Sequence, residues 1–299
     1  MALLEGKIAV ITGGTRGFGL SMAQEFTRQG AAVVVCSRSQ EAVDAAVAGL
    51  QTSGARASGL ACDVGQLEQV QALAEHALQT FGVLDVWVNN AGLSAPYGPT
   101  VHINPERFVQ VTQANLLGTY YGSLVAMRHF LGRGSGKLIN ILGRGERSPV
   151  PMQNPYAASK AWIKSFTLAL AEEYKDSKVG VYAFSPGMMD TDMLLEVEVV
   201  RGFEDRLKSL EAVVQALSQP PEIPARRAAR LASAETDGRT GLVVRSLTTG
   251  GVIARMLRMA ANRALKRPGR PLEIRIQPVE SAYPVKTGLS REVSDETSL

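Results

Sequence analysis

The strand-like run Lys7-Ile8-Ala9-Val10-Ile11 passes directly into Thr12-Gly13-Gly14-Thr15-Arg16-Gly17-Phe18-Gly19, and no other stretch of the chain limits its fold so strongly. An apolar run without polar alternation reads as a strand covered on both faces. Glycines at its end let the backbone turn sharply and come close to a neighbour. An amphipathic stretch over residues 18–29 follows at once. Strand, glycine turn and helix in succession open a parallel βαβ unit.

The alternation continues. Residues 32–36, 57–62, 84–88, 137–142, 179–184 and 241–244 read as further strands. Helical patterns lie between them at 41–51, 66–80, 105–131, 153–174 and 224–233. Asn104-Pro105-Glu106 is a helix start, with a capping side chain and proline in the first turn. Apolar strands alternating with helices predict an α/β fold, a doubly wound parallel sheet in one domain over residues 1–251. Ligands of such sheets bind beyond the carboxyl ends of the strands. The pattern loosens over residues 191–221, which include Met193, Leu194 and Leu195 near their start and are expected to cover the site as a lid. Residues 252–299 form a C-terminal helical and irregular extension. It comprises a basic amphipathic segment (252–266) and then a surface tail with Pro268, Pro271, Pro278 and Pro284.

Composition excludes several classes. An apolar fraction of 45% and a charged fraction of 20% suit a globular chain with a full core. A net charge of +4 without a dense basic stripe argues against nucleic acid as a partner. Cys36 and Cys62 each close an apolar run and read as core residues of a reducing compartment. His76, His102 and His129 fit no ligand spacing, so no metal is expected and each reads as a surface or helix-flank residue. No signal-peptide pattern opens the chain and no apolar run approaches about 18 residues, so the expected location is cytoplasmic. Segment 252–266 could lie on an anionic membrane surface, but a helix packed on the domain or a second subunit is the favoured reading.

The turn Thr-Gly-x-x-x-Gly-x-Gly, with Gly13, Thr15, Arg16, Gly17, Phe18 and Gly19, suits a pyrophosphate: backbone N–H groups converge there on a positive helix terminus. At the end of the second strand, where an acid would hold a ribose 2′-hydroxyl, stand Ser37 and Arg38. Arg38 and Arg16 could both hold a 2′-phosphate, which favours NADP(H) over NAD(H). The alternative is two solvated surface arginines. Asp63 and Val64 end the third strand, and Asn89, Ala91 and Gly92 mark a turn after the fourth. Tyr156 and Lys160 stand four apart on a helix and so share a face. An adjacent ammonium favours phenolate and lowers a pKa that starts at about 10, so the pair reads as a tunable proton donor.

Together with Asn115 in Ala114-Asn115-Leu116-Leu117-Gly118 and the string Ser185-Pro186-Gly187-Met188-Met189-Asp190-Thr191, these motifs resemble the short-chain dehydrogenase/reductase family. The resemblance implies a Rossmann-like fold and NAD(P)-dependent exchange between carbonyl and hydroxyl groups. It further implies Tyr156 as proton donor, Lys160 lowering its pKa and holding the nicotinamide ribose, and Asn115 fixing a water in a proton relay. Pro186, Gly187, Met189 and Thr191 would pack on the nicotinamide, and helices 105–131 and 153–174 would form a homodimer or homotetramer interface. Most members carry a serine where this chain has Gly143, and that serine hydrogen-bonds the substrate carbonyl. Loss of one such donor costs about 2.7–4 kcal/mol. Conceivable substitutes are the backbone N–H of Gly143 or Arg144, the Ser148 hydroxyl, or a water. A catalytically weak NADP(H)-binding sensor or scaffold is the alternative. Gly143 and the turn after Ser185 also resemble the chlorophyll b reductase branch, which reduces a formyl group to hydroxymethyl. A bulky apolar aldehyde or ketone is therefore the expected small-molecule substrate.

Overall fold

The computed structural model describes residues 2–247, 250–251 and 273–283. In chain order the elements are β1 (Ile8–Thr12), α1 (Gly17–Arg28), β2 (Ala32–Ser37), α2 (Gln40–Thr52), β3 (Ala57–Ala61), α3 (Leu67–Phe81) and β4 (Val86–Asn89). Then come α4 (Pro105–Val111), a π-helical turn (Thr112–Leu117), α5 (Gly118–Arg133), β5 (Gly136–Ile141), α6 (Asn154–Glu173) and β6 (Val179–Ser185). The last are α7 (Asp192–Leu195), β7 (Glu196–Val200), α8 (Leu210–Leu217), α9 (Glu222–Ala232), β8 (Leu242–Arg245) and β9 (Arg275–Val279).

Seven strands form one parallel sheet in the order β3-β2-β1-β4-β5-β6-β8. Side chains alternate across it, which explains why the strands are apolar throughout. Ala9, Ile11, Val33, Val35, Val86 and Val88 enter one core with Phe18, Met22 and Phe26 of α1 and the alanines of α9. Val10, Val34, Cys36 and Trp87 enter the other, with Leu73 and Ala77 of α3 and Ala126 and Phe130 of α5. Cys36 and Cys62 are buried free thiols. From β1 the chain winds outward to β3, then crosses back to β4 on the other side, and this reversal opens a crevice beyond the ends of β1 and β4.

Four expectations need correction. The helix expected over 105–131 is interrupted at Thr112–Leu117 by the π turn, where Asn115 is fully buried and bonded to two other elements. Such π turns recur at functional sites. The segment after Thr191 is not merely a loose lid. After the short α7 it forms β7, which pairs in parallel with β9, while Tyr97 bridges to Val199 of β7. Ion pairs Arg107–Glu198, Arg201–Glu280 and Arg275–Glu196 hold this small sheet. Pro278, expected in an irregular tail, lies within β9, an edge strand whose one ladder tolerates its missing N–H. His102 is buried rather than superficial, with Nδ1 2.8 Å from Ser281 Oγ and 3.2 Å from the Tyr283 carbonyl. Segment 252–266, Pro268, Pro271 and Pro284 lie outside the described residues.

Two glycines of α5 test how closely this helix lies on the sheet. A Cβ at Gly122 would overlap Asn89 Oδ1 and lie 2.7 Å from Trp87 Nε1, whereas one at Gly132 would meet nothing within 4 Å. Gly132→Ala is expected to stabilise the fold by up to about 1 kcal/mol through helix propensity. Gly122→Ala is expected to destabilise it by about 1–3 kcal/mol through overpacking. Urea unfolding of both variants checks the opposite signs.

Candidate active site

Glycines make the crevice floor possible. Gly13 has φ +63°, and a Cβ there would lie 2.9 Å from Ala91 Cα; a Cβ at Gly19 would overlap the Gly13 carbonyl and lie 2.6 Å from Asn90 Nδ2. The Thr12 hydroxyl accepts from the N–H groups of Asn90 and Ala91, both at 3.0 Å, and donates to the Val88 carbonyl. Asn90 Nδ2 in turn donates to the carbonyls of Thr12 and Gly13. The loops after β1 and β4 are therefore tied together. The first turn of α1 has neither a side-chain cap nor an acid, so its N–H groups are available to an anion.

Residues at successive strand ends differ in what they offer. Arg38 is exposed beyond β2, while Ser37 donates to the Ser39 carbonyl. Arg16 faces Asp192 of α7 at 3.9 Å, with both side chains largely exposed. Asp63 accepts from the Gly65 N–H at 2.9 Å, and Val64 lies under Gly118. The Asn89 side chain is used inside the fold. Its amide donates to the Thr119 carbonyl, Ser123 Oγ and Asn140 Oδ1, and accepts from Trp87 Nε1. Buried in this network, it leaves only its backbone for the crevice.

Asn115 brings three segments together. Its Oδ1 accepts from the Leu93 N–H at 2.8 Å, and its Nδ2 donates to the Leu93 carbonyl and to Ser159 Oγ at 2.9 Å. Ser159 donates its own proton to the Tyr156 carbonyl at 2.6 Å. One turn later the Lys160 ammonium is buried, donates to the Ile141 carbonyl at 3.0 Å and lies 5.5 Å from the centre of the Tyr156 ring. Burial pushes Lys160 down to about 8 and Tyr156 up to about 12. The expected lowering of the phenol by its lysine neighbour is thus not what the protein alone produces: desolvation disfavours the charged form of each.

The far wall is the segment after β6. Gln219, buried, donates from Nε2 to the Pro186 carbonyl at 2.9 Å and from its backbone to the Met188 carbonyl, and its own carbonyl accepts from the Asp190 N–H. Thr191 lies across from Gly17, 3.6 Å from where a Cβ there would stand. Gly187 has φ +82° at the turn, and Met189 packs on the core beside α1. In α7 none of Met193, Leu194 and Leu195 is buried. Among the described residues no metal-ligating cluster occurs and no helix is long and apolar enough to cross a membrane.

A family model described as short chain dehydrogenase matches residues 7–199. The chain belongs to the short-chain dehydrogenase/reductase family. It is 35% identical over 240 residues to 3beta-hydroxysteroid dehydrogenase 1 of Eggerthella lenta, covering 80% of this chain and 91% of that protein. A probable chloroplastic chlorophyll(ide) b reductase of Arabidopsis thaliana is 33% identical over 205 residues, which cover 62% of this chain but 41% of that protein. The crystal structure of a single-substitution variant of actinorhodin polyketide ketoreductase with NADPH superposes with a TM-score of 0.73 at 26% identity, covering 82% of this chain and 97% of that one. The protein is therefore an NAD(P)-dependent oxidoreductase acting on hydroxyl or carbonyl groups of small molecules.

The loop after β5 lacks the serine hydroxyl that the resemblance implies. Gly143 offers no hydroxyl, and Ser148 is exposed. Sequence reasoning missed the device that pins this loop. Glu146 receives Arg245 Nε at 2.8 Å, Arg245 Nη2 at 3.1 Å and Lys164 Nζ at 3.2 Å. Burial raises its pKa, but these two cations outweigh that and hold it below the ordinary range. Ser159 and Gln219 were equally silent, since a hydroxyl and an amide carry no spacing signature.

The low value at Lys160 has a thermodynamic sign. With about 8 in the folded protein against an ordinary 10.5, the unfolded chain binds more protons between those values. Lys160 therefore costs stability below that window, and the cost fades as pH rises through it. From about pH 7.5 to about pH 10, wild type is expected to gain on the order of 2–3 kcal/mol relative to Lys160→Met. A flat difference in urea unfolding would contradict this.

Proposed function

We propose that this protein is an NADPH-dependent reductase of aldehydes or ketones on bulky apolar substrates, with Tyr156 as the acid. The observation that carries the reading is the Lys160 ammonium, held on Ile141 and 5.5 Å from the Tyr156 ring, at the crevice where the glycine turn ends. The residues fit a dinucleotide: Gly13 and Gly19 let the loops after β1 and β4 pack closely with no side chain between them, and α1 begins without a cap or an acid. Gly13, Thr15, Arg16, Gly17, Phe18 and Gly19 would hold the pyrophosphate, Asp63 and Val64 the adenine, and the backbone of Asn89, Ala91 and Gly92 the adenosine ribose. Pro186, Gly187, Met189 and Thr191 would line the nicotinamide. Arg38, exposed beside Ser37 with no acid at the end of β2, supports preference for a 2′-phosphate. Arg16 supports it less, since it faces Asp192.

When bound, the nicotinamide supplies hydride to the carbonyl carbon. Tyr156 gives its hydroxyl proton to the carbonyl oxygen as negative charge builds there. A phenol held protonated by burial suits the reductive direction. Lys160 would hold the nicotinamide ribose, and Asn115 would fix a water in the relay that reloads Tyr156 from solvent. The unburied Met193, Leu194 and Leu195 form an adaptable apolar wall, which supports a large flat carbonyl compound such as a formyl-chlorin. Residues 1–251 form the catalytic domain and 252–299 an extension. Exposed Phe108, Tyr120 and Trp162, with Trp162 stacked on Phe166 at 4.9 Å, support a contact with a second copy of the chain along α4–α6.

Gly143 favours a second reading, a protein that binds the nucleotide without turnover. One experiment separates them. NADPH absorbance is followed with aldehydes, ketones and a formyl-chlorin for wild type, Tyr156→Phe and Arg38→Ala. Turnover by wild type, a loss of about 10²-fold or more in Tyr156→Phe, and a roughly tenfold higher KM for NADPH but not NADH in Arg38→Ala are expected. Tight NADPH binding without turnover would favour the second reading, and an active Tyr156→Phe would remove the tyrosine from the mechanism.

A further inference from the structure

The backbone at Gly143 does not demand glycine, for its φ is not among the left-handed ones. Gly145 differs: its φ is +105°, and a Cβ there would lie 2.5 Å from Ala157 Cα. What Gly143 supplies is room. A Cβ at this position would overlap the Tyr156 hydroxyl oxygen, and would lie 3.1 Å from its Cζ and 3.3 Å from Lys160 Cγ. The tip of the phenol therefore rests against a bare Cα, two residues beyond the carbonyl that anchors Lys160. The loop beneath is firm: the Glu146 N–H bonds the Gly143 carbonyl at 3.2 Å, and the Glu146 carboxylate is pinned by Arg245 and Lys164.

We propose that Gly143 is a positioning residue whose bare Cα seats the Tyr156 hydroxyl, so that the phenol stands where a side-chain donor would otherwise stand and is the one side-chain hydroxyl that meets the substrate oxygen. This rests on the reading of Tyr156 as the acid. It reverses a simple expectation. If Gly143 were only a lost donor, restoring serine would raise the rate by about 10²–10³-fold. Here the Cβ itself excludes the phenol before any added hydroxyl can act, and a displacement of about 1 Å at a reacting group costs roughly 10²-fold. The displacement wins, because the donor gained has no correctly placed acid to work with.

The test has a thermodynamic and a kinetic arm. In thermal unfolding, Gly143→Ala lowers Tm in the wild-type background. In the Tyr156→Phe background at least about half of that loss disappears, because the overlapping oxygen is gone and the next ring atom needs to yield only a few tenths of an ångström. Equal losses in both backgrounds would overturn the proposal. If Gly143→Ala alone does not fold, a folded Gly143→Ala/Tyr156→Phe protein supports the seat, and an unfolded one overturns it. In the kinetic arm, Gly143→Ser and Gly143→Ala each lower kcat by about tenfold or more, while NADPH affinity stays within about threefold. A Gly143→Ser protein as fast as wild type, or faster, would overturn the seat even where Tyr156→Phe is inactive and the acid stands. If instead Tyr156→Phe is fully active, the acid reading fails, and the unfolding cycle still reports on the seat.

Discussion

The lysine ammonium on the Ile141 carbonyl organises the site. Lys160 is buried on that carbonyl, and beside it the Tyr156 phenol has its own charged form disfavoured by burial. Desolvation acts in opposite directions on the two pKa values, so both groups are drawn toward neutrality. The arrangement is costly for the fold and is sustained by everything around it. Asn115 and Ser159 fix the turn of α6 on which the pair stands, and the Glu146 cluster fixes the loop against which the phenol tip lies.

The architecture explains why these groups gather where they do. A parallel sheet covered on both faces leaves no place for polar chemistry along its strands. Polar residues are therefore concentrated at the carboxyl ends, where β1 and β4 diverge and Thr12 ties their loops together. Deeper in, Asn89 and Asn140 bond across β4 and β5, and Asn140 donates to Thr167 of α6. Buried polar networks whose members are satisfied rigidify a core and specify one arrangement of it. Here the network sets the height at which α5 and α6 ride on the sheet, and so where Asn115, Tyr156 and Lys160 stand.

Much of this was legible in the sequence. The seven strands of the main sheet follow from apolar runs, and Gly13, Gly17 and Gly19 from a turn that only glycine permits. Tyr156 and Lys160 follow from helical spacing. What stayed hidden depends on partners distant in the chain. Glu196-Val197-Glu198-Val199 does alternate as a strand should, but its partner begins at Arg275, and the proline in that partner reads as tail. His102 looked superficial because Ser281 and Tyr283, which cover it, lie far along the chain in a proline-containing stretch that reads as tail. The π turn at Asn115 is a tertiary effect, imposed by Leu93 and Ser159 on a sequence that continues as a helix pattern. The sequence marks Gly143 as a missing serine; only the packing of Tyr156 against it reveals what the glycine does.

Burial raises the Tyr156 pKa to about 12 in the protein by itself, beside the Lys160 ammonium. Tyrosine labelled with 13C at Cζ reports it directly, with the Tyr156 resonance identified by its disappearance in Tyr156→Phe. The expected phenol stays protonated well above the ordinary midpoint of 10, with only about a tenth ionised at pH 11. A midpoint at or below 10 would contradict this and return the lysine to the dominant role.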